Sequence, residues 1–156
     1  MSDWRVLLVE DNPDDEALTI RAFAKNDIHD KIVVARDGAE AVDYLRAIDS
    51  GETPPPALIL LDLKLPKVGG LDVLHQIRAG QRTRLIPVVV LTTSVEPEDV
   101  LAGYDGGANA YVRKPVSFSD FVAAVRTIVT FWLSLVERPP AATAPALPGG
   151  QPAAHS

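Results

Sequence analysis

Apolar runs recur along the chain at Val6–Val9, Ile32–Ala35, Ala57–Leu61, Pro87–Leu91 and Ala110–Val112, and each is followed by ten or more residues of helical character. The third run, opened by Pro54-Pro55-Pro56 and rich in branched residues, has no polar alternation, so it reads as a strand buried on both faces of a parallel sheet. The strand–helix repetition predicts an α/β fold: a doubly wound five-stranded parallel sheet with helices on both faces.

The intervening stretches carry their own start and stop signals. Asn12 is placed to cap a first helix, with Pro13 at its first position, Asp14, Asp15 and Glu16 at the positive end of the dipole and Lys25 near the negative end. A second helix is predicted from about Gly38 to Ile48 with Ala41, Leu45 and Ile48 inward. A third spans Gly70 to Ala79 with Leu71, Leu74 and Ile77 inward, stopped by Gly80. The fourth, after Pro97, is weakened by Gly103, Gly106 and Gly107. Ser117 followed by Asp120 is a capping-box-like start for the fifth. At about 100° per residue, Phe118, Phe121, Val122, Val125, Val129, Trp132 and Val136 share one face, and Ile128, Phe131 and Leu135 widen it, with Ala124 beside them. An apolar arc of roughly 200° exceeds what one core contact needs. Little chain remains to cover Phe131 and Leu135, so Ile128, Phe131 and Leu135 are expected to form a partner surface, most simply a homodimer.

Composition narrows the function. The chain has 156 residues, 47% hydrophobic and 23% charged, enough for one domain with a proper core. The boundaries expected are a domain over 4–137 and a flexible Pro/Ala-rich tail over 138–156, too small for an output domain. A formal charge of −6 argues against nucleic acid as a main partner. No cysteine is present, which removes disulfides, thiolate metal sites and cysteine nucleophiles. With no signal peptide pattern and no apolar run of membrane-span length, a soluble cytoplasmic protein is expected.

The candidate chemistry lies where strands end. The first ends at Glu10-Asp11, the third at Asp62, the fourth at Thr92-Thr93-Ser94, and the fifth leads to Arg113-Lys114-Pro115. In a parallel sheet these ends share one edge, where open α/β sheets bind ligands. Two carboxylates about 4 Å apart repel by roughly 4 kcal/mol at an effective dielectric near 20, so such a cluster wants a cation. Mg²⁺ suits an all-oxygen set and leaves room for a phosphate oxygen; Zn²⁺ does not, with no histidine near these motifs. Lys114 can hold a neighbouring carboxylate, and Thr92 can donate to an anion on Asp62. Taken singly each residue is ordinary. Glu10-Asp11 can simply cap a helix, Tyr111 can be a half-buried strand aromatic, Asp14 and Asp15 read as surface acids, and His29, His75 and His155 fall outside the pocket. The ordered set is what carries meaning.

That set resembles the receiver domain of bacterial two-component response regulators, a flavodoxin-like (βα)5 fold, over about Trp4 to Val136. The resemblance is carried by Leu7-Leu-Val-Glu-Asp-Asn12, Asp62-Leu-Lys-Leu-Pro-Lys-Val-Gly-Gly-Leu-Asp-Val-Leu74, Val90-Leu-Thr92 and Gly107-Ala-Asn-Ala-Tyr-Val-Arg-Lys-Pro115. It implies that Asp62 accepts a phosphoryl group from a sensor histidine kinase. It implies a Mg²⁺ site of Glu10, Asp11, Asp62 and the Lys64 backbone carbonyl. Thr92 is implied as the switch hydroxyl, Tyr111 as the switch aromatic, Lys114 as the phosphate-contacting lysine, and the Lys114–Pro115 bond as cis. The domain would then assist its own phosphorylation and dephosphorylation without being a turnover enzyme, and would signal through its fourth helix, fifth strand and fifth helix. A finer resemblance, on Asp62-Leu-Lys-Leu-Pro-Lys67, Leu91-Thr-Thr-Ser94 and Phe131-Trp-Leu133, is to stand-alone regulators of bacterial phytochrome kinases, which commonly dimerise through the last strand and helix. Two alternatives stay open: a phosphorelay intermediate serving a histidine phosphotransfer protein, and an aspartate-nucleophile phosphohydrolase. The second is disfavoured by Lys64, which stands where the haloacid-dehalogenase pattern wants an acid.

Overall fold

β1 (Val6–Val9), β2 (Ile32–Ala35), β3 (Leu58–Leu61), β4 (Val88–Thr92) and β5 (Ala110–Arg113) form one parallel sheet in the order β2-β1-β3-β4-β5. The computed structural model describes residues 4–28, 31–65 and 68–140; residues 141–156 of the predicted tail, together with His29, Pro66, Lys67 and His155, lie outside the described residues. The expected α/β doubly wound architecture is borne out, with β1, β3, β4 and β5 as neighbours. Chain direction across the sheet reverses at β1, since β2 lies on one side of it and β3 on the other. Ligand crevices of open α/β sheets lie at such a point, beyond the carboxyl ends of the strands.

Five helices cover the sheet: α1 (Pro13–Lys25), α2 (Gly38–Asp49), α3 (Gly70–Ala79), α4 (Pro97–Asp105) and α5 (Phe118–Val129). Alternate strand residues face opposite layers. Leu7, Val9, Ile59, Leu61, Val88 and Val90 pack with Ala41, Leu45, Ile48, Val73, Leu74 and Ile77 of α2 and α3. Val6, Leu8, Leu58, Leu60, Val89 and Leu91 pack with Ala22, Phe23, Phe121, Val125 and Ile128 of α1 and α5. β1, β3 and β4 are buried throughout, which explains their unbroken apolar sequences; each fully buried Val or Leu side chain contributes about 1.5–3 kcal/mol.

The helix ends follow the sequence signals. Asn12 Oδ1 accepts from Asp14 N and Asp15 N at 2.8 and 3.1 Å, and Ser117 Oγ accepts from Asp120 N at 3.2 Å. α4 starts at Pro97 without a side-chain cap bond and buries only Gly103, in keeping with its weak signal. α3 is tied down by Arg78, all five of whose N–H groups are used. They reach Gly107 O (twice), Arg84 O, Ile86 O and Asn109 Oδ1 at 2.7–2.9 Å.

The last helix departs from expectation. Beyond Val129 it widens into a π-helical segment, Thr130–Leu135, in which Val136 N bonds to Phe131 O. Trp132 packs against the core beside Val129, as the helical period predicts, and Leu133 joins it. Ile128, expected on the outward flank, is buried at 6% exposure. It lies in line with Phe121 and Val125, turned onto the sheet. Phe131 and Leu135 do face outward, at 48% and 69% exposure. By length and composition Phe118–Leu135 also matches a membrane span, contrary to the expectation that no stretch would, but its inner residues Phe121, Val125 and Ile128 are part of the domain core.

Candidate functional site

β1, β3 and β5 each pass a rim residue one hydrogen bond beyond the regular ladder. Glu10 N bonds to Ala35 O at 3.0 Å, Asp62 N to Val9 O at 3.1 Å, and Lys114 N to Thr92 O at 2.8 Å. The sheet itself therefore sets where these side chains start. Glu10, Asp62, Thr92 and Lys114 are all buried, and Asp11 is half-buried.

Their side chains meet. Thr92 Oγ1 donates to Asp62 Oδ1 at 3.1 Å. Lys64 N donates to the same oxygen at 3.0 Å. Lys114 Nζ reaches Asp62 Oδ2 at 3.3 Å and Glu10 Oε1 at 2.7 Å. Carboxylate oxygens of Glu10, Asp11 and Asp62 lie within 4.8 Å of one another. Burial pushes the Glu10 carboxyl up to about 7; the Lys114 hydrogen bond and charge oppose this, and the Asp62 charge adds to it. Burial works against the charge on Lys114, but Glu10, Asp62 and Asp15 outweigh it and the net shift is upward. Three clustered carboxylates thus face one ammonium.

The donor set fits a hard divalent cation: three carboxylates in mutual reach, oxygen donors only, and residual negative charge. Glu10, Asp11 and Asp62 are the residues able to hold it.

A second hydrogen-bonded path leaves the pocket toward α4. Tyr111 is half-buried, and its hydroxyl donates to Ser94 O at 2.8 Å. Burial raises its pKa. Ser94 Oγ bonds to Asp99 Oδ2 on α4, so Ser94 links the β4 end, Tyr111 and α4. The ring of Tyr111 lies against Gly103, where an added Cβ would come 3.0 Å from Cδ2. The glycine that weakens α4 is what lets the helix approach this ring.

The structure brings together Glu10, Asp11, Asp62, Thr92 and Lys114, with the Lys64 backbone beside them. His75 is an exposed residue of α3. The Lys114–Pro115 bond, expected cis, is trans. Three residues were missed. Asp15, read as a surface acid, accepts from Lys114 Nζ at 3.0 Å; its place three residues after the Asn12 cap, where a side chain turns back toward the helix start, was the available signal. Ser94 had no signal beyond its place after Thr92. Gly70, read only as a helix start, sits against the backbone that follows the phosphoacceptor candidate: an added Cβ would lie 2.6 Å from Asp62 O. Gly70 N also bonds to Leu63 O at 3.1 Å.

A family model for the response regulator receiver domain matches residues 6–126. A probable methanogenesis regulatory protein, FilR2 of Methanothrix harundinacea, is 45% identical over 82% of this chain and 83% of its own length. The crystal structure of a phosphorylated cyanobacterial phytochrome response regulator, RcpA, superposes with a TM-score of 0.81 at 39% identity, covering 88% of this chain and 99% of that one. A Mn²⁺-bound structure of response regulator Rcp1 superposes with a TM-score of 0.76 at 36% identity, covering 87% and 99%.

Proposed function

Because the chain belongs to the response regulator receiver family, we propose that Asp62 is its phosphoacceptor and that the surrounding rim residues carry out phosphoryl transfer from a sensor histidine kinase. The observation that supports this most is the meeting of Lys114 Nζ with both Glu10 and Asp62, inside a set of three carboxylates within 4.8 Å.

Asp62 Oδ1 already accepts two hydrogen bonds, from Thr92 and Lys64 N, whereas among the described residues Oδ2 accepts only that of Lys114. Oδ2 therefore has the free lone pair and is the attacking oxygen. It forms the O–P bond as the N–P bond to the kinase histidine breaks, and the electron pair of that bond stays on the imidazole nitrogen. Thr92 and Lys64 N hold the carboxylate plane fixed during the attack. Lys114 follows the charge from Oδ2 to a phosphoryl oxygen. Glu10, Asp11, Asp62 and the Lys64 backbone carbonyl would hold Mg²⁺, which would supply the positive charge that lets an anionic group approach these acids. The Mn²⁺-bound form of the relative Rcp1 supports divalent-cation binding by this chain. Water attack at the same phosphorus reverses the modification, so the domain assists its own phosphorylation and dephosphorylation without being an enzyme of general substrates.

Thr92 and Tyr111 form the switch, and the surface of α4, β5 and α5 is the output. A second copy of the chain covers Phe131 and Leu135. The kinase is a phytochrome-type sensor in the cytoplasm, a reading supported by the likeness to the phytochrome regulator RcpA. Incubation with acetyl phosphate and Mg²⁺ followed by intact-mass measurement tests the function. A single phosphoryl adduct on the wild type, absent from Asp62→Ala, is expected; an adduct of equal yield on the variant refutes the assignment.

A further inference from the structure

Lys114 has three N–H donors, and each meets a different carboxylate: Glu10 Oε1 at 2.7 Å, Asp15 Oδ2 at 3.0 Å and Asp62 Oδ2 at 3.3 Å. Glu10 and Asp62 belong, with Asp11, to the cluster suited to a cation; Asp15 stands outside that cluster. It is placed by other means. Its backbone N–H is bound to the Asn12 cap at 3.1 Å, in the first turn of α1, so the helix start fixes where its carboxylate stands. Its side chain is 35% exposed, against 8% for that of Lys114.

An ammonium and a divalent cation compete for the same oxygens. Both are drawn to Glu10 and Asp62, and both cannot occupy the middle of the cluster. A third anchor outside the cluster decides where the ammonium settles. We propose that Asp15 is a positioning residue, which draws Lys114 toward α1 and so keeps its ammonium from closing over the oxygens that a divalent cation must reach.

Without Asp15, the third N–H of Lys114, a side chain only 8% exposed, is left without its carboxylate. The carboxylates it keeps, Glu10 and Asp62, both belong to the cluster. The ammonium then moves onto them, and the cation must displace it. The role deepens the phosphoacceptor reading and rests on it only for its biological meaning, because ammonium placement and cation affinity are both measurable without any phosphoryl donor.

Asp14 is the internal control. It carries the same charge on the same first turn but is exposed, and Lys114 takes none of its three bonds from it. The experiment titrates Mg²⁺ calorimetrically into the metal-free full chain and follows the Lys114 ammonium by ¹⁵N side-chain NMR. It compares wild type, Asp15→Asn, Asp15→Glu and Asp14→Asn, and repeats Asp15→Asn in a Lys114→Met background. Expected is a Mg²⁺ affinity lowered roughly three- to tenfold by Asp15→Asn, in the range of couplings between contacting residues. The Lys114 signal should move at the same time. Asp15→Glu should restore affinity in part, and Asp14→Asn should leave both readouts in place. In the Lys114→Met background the effect of Asp15→Asn should vanish. An equal loss from Asp14→Asn, an undiminished loss in the Lys114→Met background, or an unmoved Lys114 signal each overturns the proposal. Failure of the wild type to take up phosphate from acetyl phosphate is a separate result, which removes the phosphoacceptor reading and leaves these measurements standing.

Discussion

Glu10 shows what a rim residue costs and what it does. Its carboxyl is pushed up by burial from its ordinary 4.5 to about 7. Between those two values the folded chain binds a proton here that the unfolded chain does not. Metal-free stability from this group therefore falls as pH rises from about 4.5 to 7, by at most roughly 3–4 kcal/mol. Denaturant melts in EDTA across that window should show the fall, and Glu10→Gln should flatten it; a slope unchanged in the variant would contradict the assignment. Mg²⁺ should restore stability at the upper end of the window, where the carboxylate is charged. Gly70 makes the complementary point about space. With an added Cβ 2.6 Å from Asp62 O, Gly70→Ala must push α3 away from the turn that carries Asp62. Phosphorylation by acetyl phosphate should slow at least about tenfold, the scale on which small misplacements act, while the fold is kept by circular dichroism. A wild-type rate would show that the turn tolerates the shift.

At the scale of elements, the strands were the easiest part to read. Val6–Val9 and Leu58–Leu61 lie between neighbours on both sides and helices on both faces, so their sequences hold no polar residue that could obscure the pattern. Caps at Asn12 and Ser117 were equally legible because a short side chain and a local N–H make the whole interaction. The π-helical end of the last helix was not. The period of 3.6 was carried past Val129 into a segment that turns more widely, and Ile128 was assigned outward although it continues the line of Phe121 and Val125. The site's strand-end members were legible from topology. Asp15 and Ser94 were not, since their roles depend on contacts with residues far off in sequence or on the path of a loop. Arg78 is another element whose role only coordinates reveal. Replacing it by Met strands the carbonyls of Gly107, Arg84 and Ile86. The expected loss is about 2–4 kcal/mol in urea unfolding, since each unsatisfied buried acceptor costs about 1–3 kcal/mol and water recovers part; a loss under 1 kcal/mol would mean that the guanidinium is only a surface decoration.

The whole molecule must turn a local charge into an altered surface. Two hydrogen bonds to a charged phosphoryl supply roughly 3–6 kcal/mol, against about 5.5 kcal/mol for a shift from 1:99 to 99:1. Thr92 already bonds to Asp62, and Tyr111 already bonds to Ser94 O. The gain on phosphorylation is a difference from these existing contacts and falls short of a full switch. If Thr92 and Tyr111 form the switch, the output-competent form should be partly populated beforehand, and phosphorylation should raise dimer affinity by far less than the roughly 10⁴-fold of a complete transition. Analytical ultracentrifugation of wild type and of a Phe131→Glu, Leu135→Glu double variant checks both parts: the wild type should self-associate before modification, and the variant should be monomeric. A monomeric wild type under all conditions would remove the second-copy reading of that exposed pair. The account as a whole stands on the destination of the phosphoryl group. After reaction with acetyl phosphate and Mg²⁺, borohydride reduction and tandem mass spectrometry of the peptides locate the acyl phosphate. The account predicts reduction at position 62 alone, dependent on Mg²⁺ and strongly diminished in Lys114→Ala; a label on any other acid, or one indifferent to Mg²⁺ and Lys114, would contradict it.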